Sequence, residues 1–191
     1  MKNELKLYGV IGRPILHSRS PLIQNKLFHE HNFHSRYLKI IPDRSLDLSY
    51  WFGNFGLKGM NITAPYKADA FQAGLEKHKI SKFLNASNTL IMKNNKLSAM
   101  NTDPQGVKGA FEKFGISLKN KKVLIIGAGG AAKAAAWSAA EQGASLIVSN
   151  RTEEKAREIA SFFNGNSIPL DEIQENKKYF DIVISTLPSD Q

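Results

Sequence analysis

Apolar and polar positions alternate from residue 5 and close into a solid apolar run by residue 11, the pattern of a strand entering a core. A Gly12-Arg13-Pro14 turn follows, and Ser20-Pro21 marks a helix start. Serine is a good N-cap, and proline suits the first helical position because its missing N–H would be unpaired there anyway. Leu22, Ile23, Leu27 and Phe28 then fall on one face and predict the buried stripe of that helix. Residues 37–41 read as a second strand and 46–55 as a second helix. Residues 59–63 form a short strand that runs into the polar turn Ala64-Pro65-Tyr66-Lys67. Segments 87–92 and 96–101 predict a hairpin, with Asn94-Asn95 tolerating the left-handed turn conformation. Asp103-Pro104 repeats the cap-then-proline device and opens a helix to about residue 115.

From residue 121 the pattern changes. Strands at 123–126, 145–149 and 181–185 alternate with helices at 131–142 and 153–164 and a weaker one at 171–176. This alternation implies a parallel sheet with helices on both faces. The longest apolar stretch, 123–140, is broken by Lys133 and three glycines, so it reads as strand, turn and helix rather than a membrane span. The expected fold is α/β: residues 1–102 form one domain and 103–191 a Rossmann-type domain, with helix 103–115 as the bridge.

Composition narrows the chemistry. With 42% hydrophobic and 23% charged residues, the 191-residue chain is ordinary for a soluble globular protein. The lack of cysteine excludes disulfides, thiolate nucleophiles and Cys-ligated zinc, and it fits a reducing cytoplasm. No metal site is read, and residues 1–6 carry no apolar core of signal-peptide length. Charge is uneven: residues 1–100 hold 15 Lys/Arg against 6 Asp/Glu, whereas 101–191 hold 11 of each. A basic half favours a small carboxylate, a nucleotide or nucleic acid, and is equally a solvated surface. The lysines are scattered without aromatic interleaving, so no nucleic-acid partner is expected.

Gly127-Ala128-Gly129-Gly130-Ala131-Ala132 fits G-x-G-x-x-A between a strand and a helix. Gly127 permits a tight turn, Gly129 lets backbone amides approach a pyrophosphate, and Ala132 allows close helix packing, while the helix N-terminus favours the anion. An NAD site usually carries a carboxylate at the tip of the next strand. Here that tip reads Asn150-Arg151-Thr152, with Lys155 one turn later, so NADP is favoured. Arg151 is also readable as a plain exposed residue with Thr152 capping the next helix, and both readings can hold together.

Three polar clusters fall at strand ends or helix starts in the first half: His17-Ser18-Arg19-Ser20-Pro21, Asn61 to Lys67, and Asn88-Thr89 with Asn101-Thr102-Asp103. In open α/β sheets ligands gather at the carboxyl ends of strands. Residue by residue, Ser20 and Asp103 suffice as N-caps, Lys67 as a surface lysine and Asn88 as a hairpin residue. In order and spacing, however, the run Gly12 to Pro21, the segment Asn61 to Lys67, the Asn101-Thr102-Asp103 triplet, the glycine turn and Asn150-Arg151-Thr152 resemble the shikimate dehydrogenase family along essentially the whole chain.

The resemblance implies a substrate domain followed by an NADP-binding domain. It implies reversible NADPH-dependent reduction of 3-dehydroshikimate to shikimate, a step toward chorismate and the aromatic amino acids. Ser18 and Ser20 would bind the substrate carboxylate, while Thr63, Asn88 and Asp103 would meet the ring hydroxyls. Lys67 would be the catalytic lysine, also touching substrate and paired with Asp103. Gly127, Ala128, Gly129, Gly130, Ala131, Asn150, Arg151, Thr152 and Lys155 would hold the cofactor. A quinate/shikimate dehydrogenase and a non-catalytic ligand-binding homologue are the alternatives, and a homodimer stays open. Ala64, Tyr66 and Pro104 depart from the family's usual valine, phenylalanine and glycine. The resemblance also implies further strands, nicotinamide contacts and terminal helices beyond Gln191, so the second domain is expected to be incomplete.

Overall fold

The computed structural model describes residues 4–42 and 47–187, and the chain divides into two compact units, Met1–Asn101 and Thr102–Gln191.

The first unit is built on a six-stranded mixed sheet. Its elements are β1 (Lys6–Ile11), α1 (Ser20–Glu30), β2 (Ser35–Ile40), α2 (Leu48–Phe55), β3 (Leu57–Ile62), α3 (Lys67–Ala73), β4 (Glu76–Lys77), α4 (Lys79–Leu84), β5 (Thr89–Lys93) and β6 (Lys96–Met100). The strand order is β2-β1-β3-β5-β6-β4. β1 is parallel to β2 and β3, β5 is antiparallel to both β3 and β6, and β4 is parallel to β6. Because β5 runs against β3, it starts where β1 and β3 end. One sheet edge therefore collects the carboxyl ends of β1, β3 and β6 and the start of β5. The hairpin turn is as expected, with Asn94 and Asn95 at φ +50° and +57°.

Strand alternation sends Ile11, Leu57, Met60, Ile62 and Leu90 into a core with Leu48, Phe52 and Ala70 from α2 and α3. Ile11 and Leu90 are fully buried there, so truncating either to alanine costs about 2–5 kcal/mol. The opposite face carries Val10 and Tyr37, with Tyr8 and Phe28 packed against them.

α1 differs from expectation in two ways. Its apolar stripe is not buried: Leu22 and Ile23 are 72% and 55% exposed, and Leu27 is 41% exposed. Of the expected stripe Phe28 does pack on the sheet, and Asn25 seats the helix beside it by exchanging two 2.9 Å hydrogen bonds with the backbone of Tyr37. In addition, Arg19 is the N-cap and Ser20 the first helical residue, with Pro21 following. The same shift recurs at Thr102, Asp103 and Pro104. All of the first four N–H groups of a helix lack intrahelical partners, so proline is tolerated one place further in than expected. α2 is capped by Asp47, which accepts from the N–H groups of Ser49 and Tyr50, and the expected start at Leu46 lies outside the described residues.

The second unit holds α5 (Asp103–Lys113), β7 (Lys122–Ile126), α6 (Gly130–Glu141), β8 (Ser145–Ser149), α7 (Glu153–Phe162), β9 (Asn166–Ser167), α8 (Ile173–Asn176) with a 3-10 turn (Lys177–Tyr179), and β10 (Ile182–Ser185). All described strand pairs are parallel, in the order β10-β7-β8-β9. Val123, Ile125, Leu146 and Val148 share one face and pack on Ala132, Ala135, Ala136 and Ala139 of α6 and Ala156, Ile159 and Ala160 of α7. Small alanines let these helices approach the sheet closely. The two long crossover helices thus lie on the same face, not one on each, because both right-handed crossovers step in one direction along the sheet. The step reverses between β9 and β10, which leaves a topological switch point between β7 and β10.

Candidate active site

At the shared edge of the first unit, backbone hydrogen bonds join the predicted clusters. Thr63 N–H donates to Ile11 O at 3.0 Å and Arg13 N–H to Ala64 O at 3.1 Å, which packs the turn after β3 on the turn after β1. Gly12 is needed for this approach, since a β-carbon there would overlap the Thr63 methyl group. Ser87 N–H donates to Lys67 O at 2.8 Å, Ile62 N–H to Asn88 O at 2.8 Å, and Asn88 N–H to Met100 O at 3.1 Å. Thr63, Lys67 and Asn88 are therefore brought together, all half-buried. Lys67 is the first residue of α3, directly after the turn closed by Tyr66 N–H on Thr63 O.

Ser18 and Ser20 stand as a pair at the start of α1. Ser18 Oγ donates to Ser20 Oγ at 3.2 Å and accepts from the Ser20 N–H at 3.3 Å. Arg19, the N-cap residue between them, makes no side-chain capping bond. Their loop is tied to β2 by the Lys39 ammonium on Leu16 O. Asn101 is buried and donates to Ala86 O at 3.1 Å, anchoring the chain just before Asp103. Asp103 itself opens α5 in the second unit and is half-buried.

The polar clusters include Asn61 and Thr89, but not Tyr37, which joins them from β2. Tyr37, Asn61 and Thr89 run from β2 to β5 as a chain of side-chain hydrogen bonds. The available signal was polar Asn61 inside the otherwise apolar end of a strand.

In the second unit the glycine turn lies at the switch point. Gly127 has φ +116°, and a β-carbon on it would overlap Thr186 Oγ1, just past β10. Thr186 is held there by its N–H and hydroxyl, which both donate to Ile126 O, at 3.0 and 2.9 Å. Gly127 N–H donates to Ser149 O at 2.8 Å, which brings the glycine turn beside the tip of β8. Gly129 is the N-cap of α6, at φ −82°, and its missing side chain faces open space. Protein packing does not demand glycine there, and the missing side chain leaves the backbone at the helix start open to close approach. Ala128 is half-buried, and Gly130 and Ala131 are exposed at the helix N-terminus.

Beyond β8, Asn150 donates to Thr152 O at 3.0 Å and braces the loop. Thr152 occupies the N-cap position of α7, but its hydroxyl makes no capping bond. Arg151 and Lys155 are exposed. This donor set suits a dinucleotide with an extra phosphate: a glycine turn and helix N-terminus for the pyrophosphate, and cations at the strand tip.

The parallel sheet with its glycine turn at the switch point defines a Rossmann-type dinucleotide-binding fold, joined in one chain to a mixed α/β unit. The family described as shikimate dehydrogenase substrate binding domain matches residues 10–90, and that described as shikimate / quinate 5-dehydrogenase matches residues 108–191. The shikimate dehydrogenase (NADP(+)) of Methanocella arvoryzae is 34% identical over 194 residues, covering 96% of this chain and 70% of that protein. That of Carboxydothermus hydrogenoformans is 36% identical over 167 residues, covering 86% of this chain and 60% of its own length. A Thermus thermophilus shikimate 5-dehydrogenase, solved in complex with NADP(H) and shikimate, superposes with a TM-score of 0.80 at 26% identity, covering 95% of this chain and 68% of that one. The chain belongs to the shikimate dehydrogenase family. It spans about three fifths to seven tenths of the length of these relatives.

Proposed function

We propose that this polypeptide carries the substrate-binding unit and part of the cofactor unit of an NADP-dependent shikimate dehydrogenase, which interconverts 3-dehydroshikimate and shikimate. The observation that carries the reading is the convergence of Thr63, Lys67 and Asn88 on one sheet edge through the Ser87–Lys67 and Ile62–Asn88 backbone bonds. Family membership and the named ligands of the Thermus relative support the choice of substrate and cofactor.

Gly127, Ala128, Gly129, Gly130 and Ala131 hold the pyrophosphate, and Asn150, Arg151, Thr152 and Lys155 the ribose phosphate. Bound NADPH supplies the hydride that reduces the keto carbon. Ser18 and Ser20 take the substrate carboxylate through their hydroxyls and the start of α1. Thr63, Asn88 and Asp103 fix the ring hydroxyls. The Lys67 ammonium donates a proton to the oxygen that becomes the new hydroxyl, and takes it back in the oxidative direction. General acid help of this kind contributes about 10²–10⁴-fold.

Among the described residues no helix is long and apolar enough to cross a membrane. The cysteine-free sequence suits the reducing cytoplasm, where we place the protein. The test is shikimate oxidation by the full-length protein, followed by nicotinamide absorbance with NADP and NAD and with quinate as competitor. Shikimate turnover with NADP supports the reading. Saturable shikimate binding without absorbance change overturns the enzymatic assignment, and turnover of quinate with NAD redirects it.

A further inference from the structure

Across the α1-facing side of the first sheet, three polar side chains lead to Asn88. Tyr37 O–H donates to Asn61 Oδ1 at 2.6 Å, Asn61 Nδ2 donates to Thr89 Oγ1 at 3.1 Å, and Thr89 Oγ1 donates to Asn88 Oδ1 at 2.9 Å. The register explains how they meet. Tyr37 pairs with Tyr8 and Asn61 with Val10, so the phenol reaches over β1 to its other neighbour, and Asn61 stands directly opposite Thr89.

The direction of this chain is set by chemistry. Asn61 Nδ2 also lies 3.4 Å from Asn88 O, a backbone carbonyl that can only accept. The amino group of Asn61 must face that side, so its Oδ1 faces Tyr37 and the phenol must donate. Thr89 has one hydroxyl proton. Having accepted from Asn61, it gives that proton to Asn88 Oδ1, and the Asn88 amino group is turned the other way as a donor. Tyr37 is a stable origin for the chain: it is 5% exposed, its backbone is clamped by Asn25, and burial pushes its phenol well above the usual range, keeping the proton in place.

We infer that Tyr37 is a positioning residue which, through Asn61 and Thr89, orients the Asn88 side-chain amide so that it presents N–H donors to a ring oxygen of the substrate. The substrate part of this inference rests on the reading given under Proposed function; the relay itself does not. A site with this polarity favours a substrate oxygen that accepts at that position, a carbonyl or a hydroxyl whose own proton goes elsewhere.

The test uses the 191-residue chain, with ¹⁵N-resolved spectra following the side-chain amides of Asn61 and Asn88 during a shikimate titration. Tyr37→Phe keeps the ring and removes the donor. The Asn88 amide resonances are expected to move in Tyr37→Phe and to show no further change when Tyr37→Phe is added to Thr89→Val. Shikimate affinity is expected to fall roughly three- to tenfold in Tyr37→Phe, the worth of one misaligned hydrogen bond, and not at all when the same change is made in an Asn88→Ala background. A packing role would give equal losses in both backgrounds. An unmoved Asn88 amide, or equal losses in both backgrounds, overturns the inference alone. A responsive amide with shikimate binding absent or indifferent to Asn88→Ala overturns the substrate reading and, with it, the role given to Tyr37.

Discussion

The backbone N–H of Ser87 donates to the carbonyl oxygen of Lys67 at 2.8 Å, so the residue before Asn88 is bonded to the proposed proton donor. The bond joins the first residue of α3 to the approach to β5 and does not depend on either side chain. Substituting the lysine therefore leaves the link between the two segments in place.

Lys67→Ala should depress turnover by about 10²–10⁴-fold in the full-length protein, the range for a lost general acid. Shikimate affinity should change far less, and thermal stability little, because the side chain is only half-buried at a helix start. Steady-state kinetics alongside calorimetric binding checks this. Equal losses in turnover and affinity would leave Lys67 a binding role only.

The two glycines of the turn should respond in opposite ways. Gly127→Ala puts a β-carbon on a backbone at φ +116° and into Thr186 Oγ1, at a cost of about 1–3 kcal/mol from the backbone alone. Gly129→Ala meets nothing within 4 Å at φ −82°, so stability should fall by less than about 1 kcal/mol. NADP affinity should nevertheless drop, because the open space is where the proposed site receives the pyrophosphate. Thermal melts and nucleotide titrations of the two variants separate these effects, and unaltered NADP binding by Gly129→Ala would count against the site.

Elements whose cause is local were legible in the amino-acid sequence. β8 follows its apolar run, and Asn94 and Asn95 take the left-handed turn because asparagine tolerates it. Short elements held by distant partners were not. β4 has two residues and exists through its pairing with β6, flanked by the Leu75 N–H on Leu97 O and the His78 N–H on Ala99 O. At Leu22, Ile23 and Leu27 the packing of α1 departs from its apolar stripe, because beside Phe28 the contact with the sheet runs through a polar residue, Asn25, that no hydrophobic stripe reveals. Of the candidate site, the loops carrying Ser18, Thr63, Lys67 and Asn88 could be named from their motifs. The Tyr37–Asn61–Thr89 chain could not, since residues 24 and 28 positions apart meet only once strand order is known.

Arg151→Ala should weaken NADP binding roughly 10- to 100-fold, the loss of a charge-assisted hydrogen bond of about 1.5–3 kcal/mol. Affinity for NAD, which lacks the 2′-phosphate of the adenosine ribose, should hardly change. The exposed position of Arg151 makes the wild-type preference salt-sensitive, so the gap between the two cofactors should narrow as ionic strength rises. Parallel titrations with NADP and NAD at low and high salt decide the matter. An equal effect on both cofactors would remove the phosphate role.

Asp181 sets an acid limit on the strand pair beside the glycine turn. Its Oδ2 accepts from the Lys122 N–H at 2.8 Å, its N–H donates to Lys122 O at 2.9 Å, and the Lys121 ammonium lies 3.7 Å from Oδ1. The backbone N–H of Lys122, with smaller help from the Lys121 charge, holds the carboxyl below its ordinary value. A carboxyl depressed in the folded state stabilises the fold above the unfolded value of about 3.9 and stops doing so as pH falls through its folded value. Asp181→Asn should therefore melt lower than wild type at neutral pH, and the two curves should converge as the solution is acidified below about pH 4. Melting curves across that range provide the check. A gap that persists unchanged in acid would mean that the side chain acts by shape and not by charge.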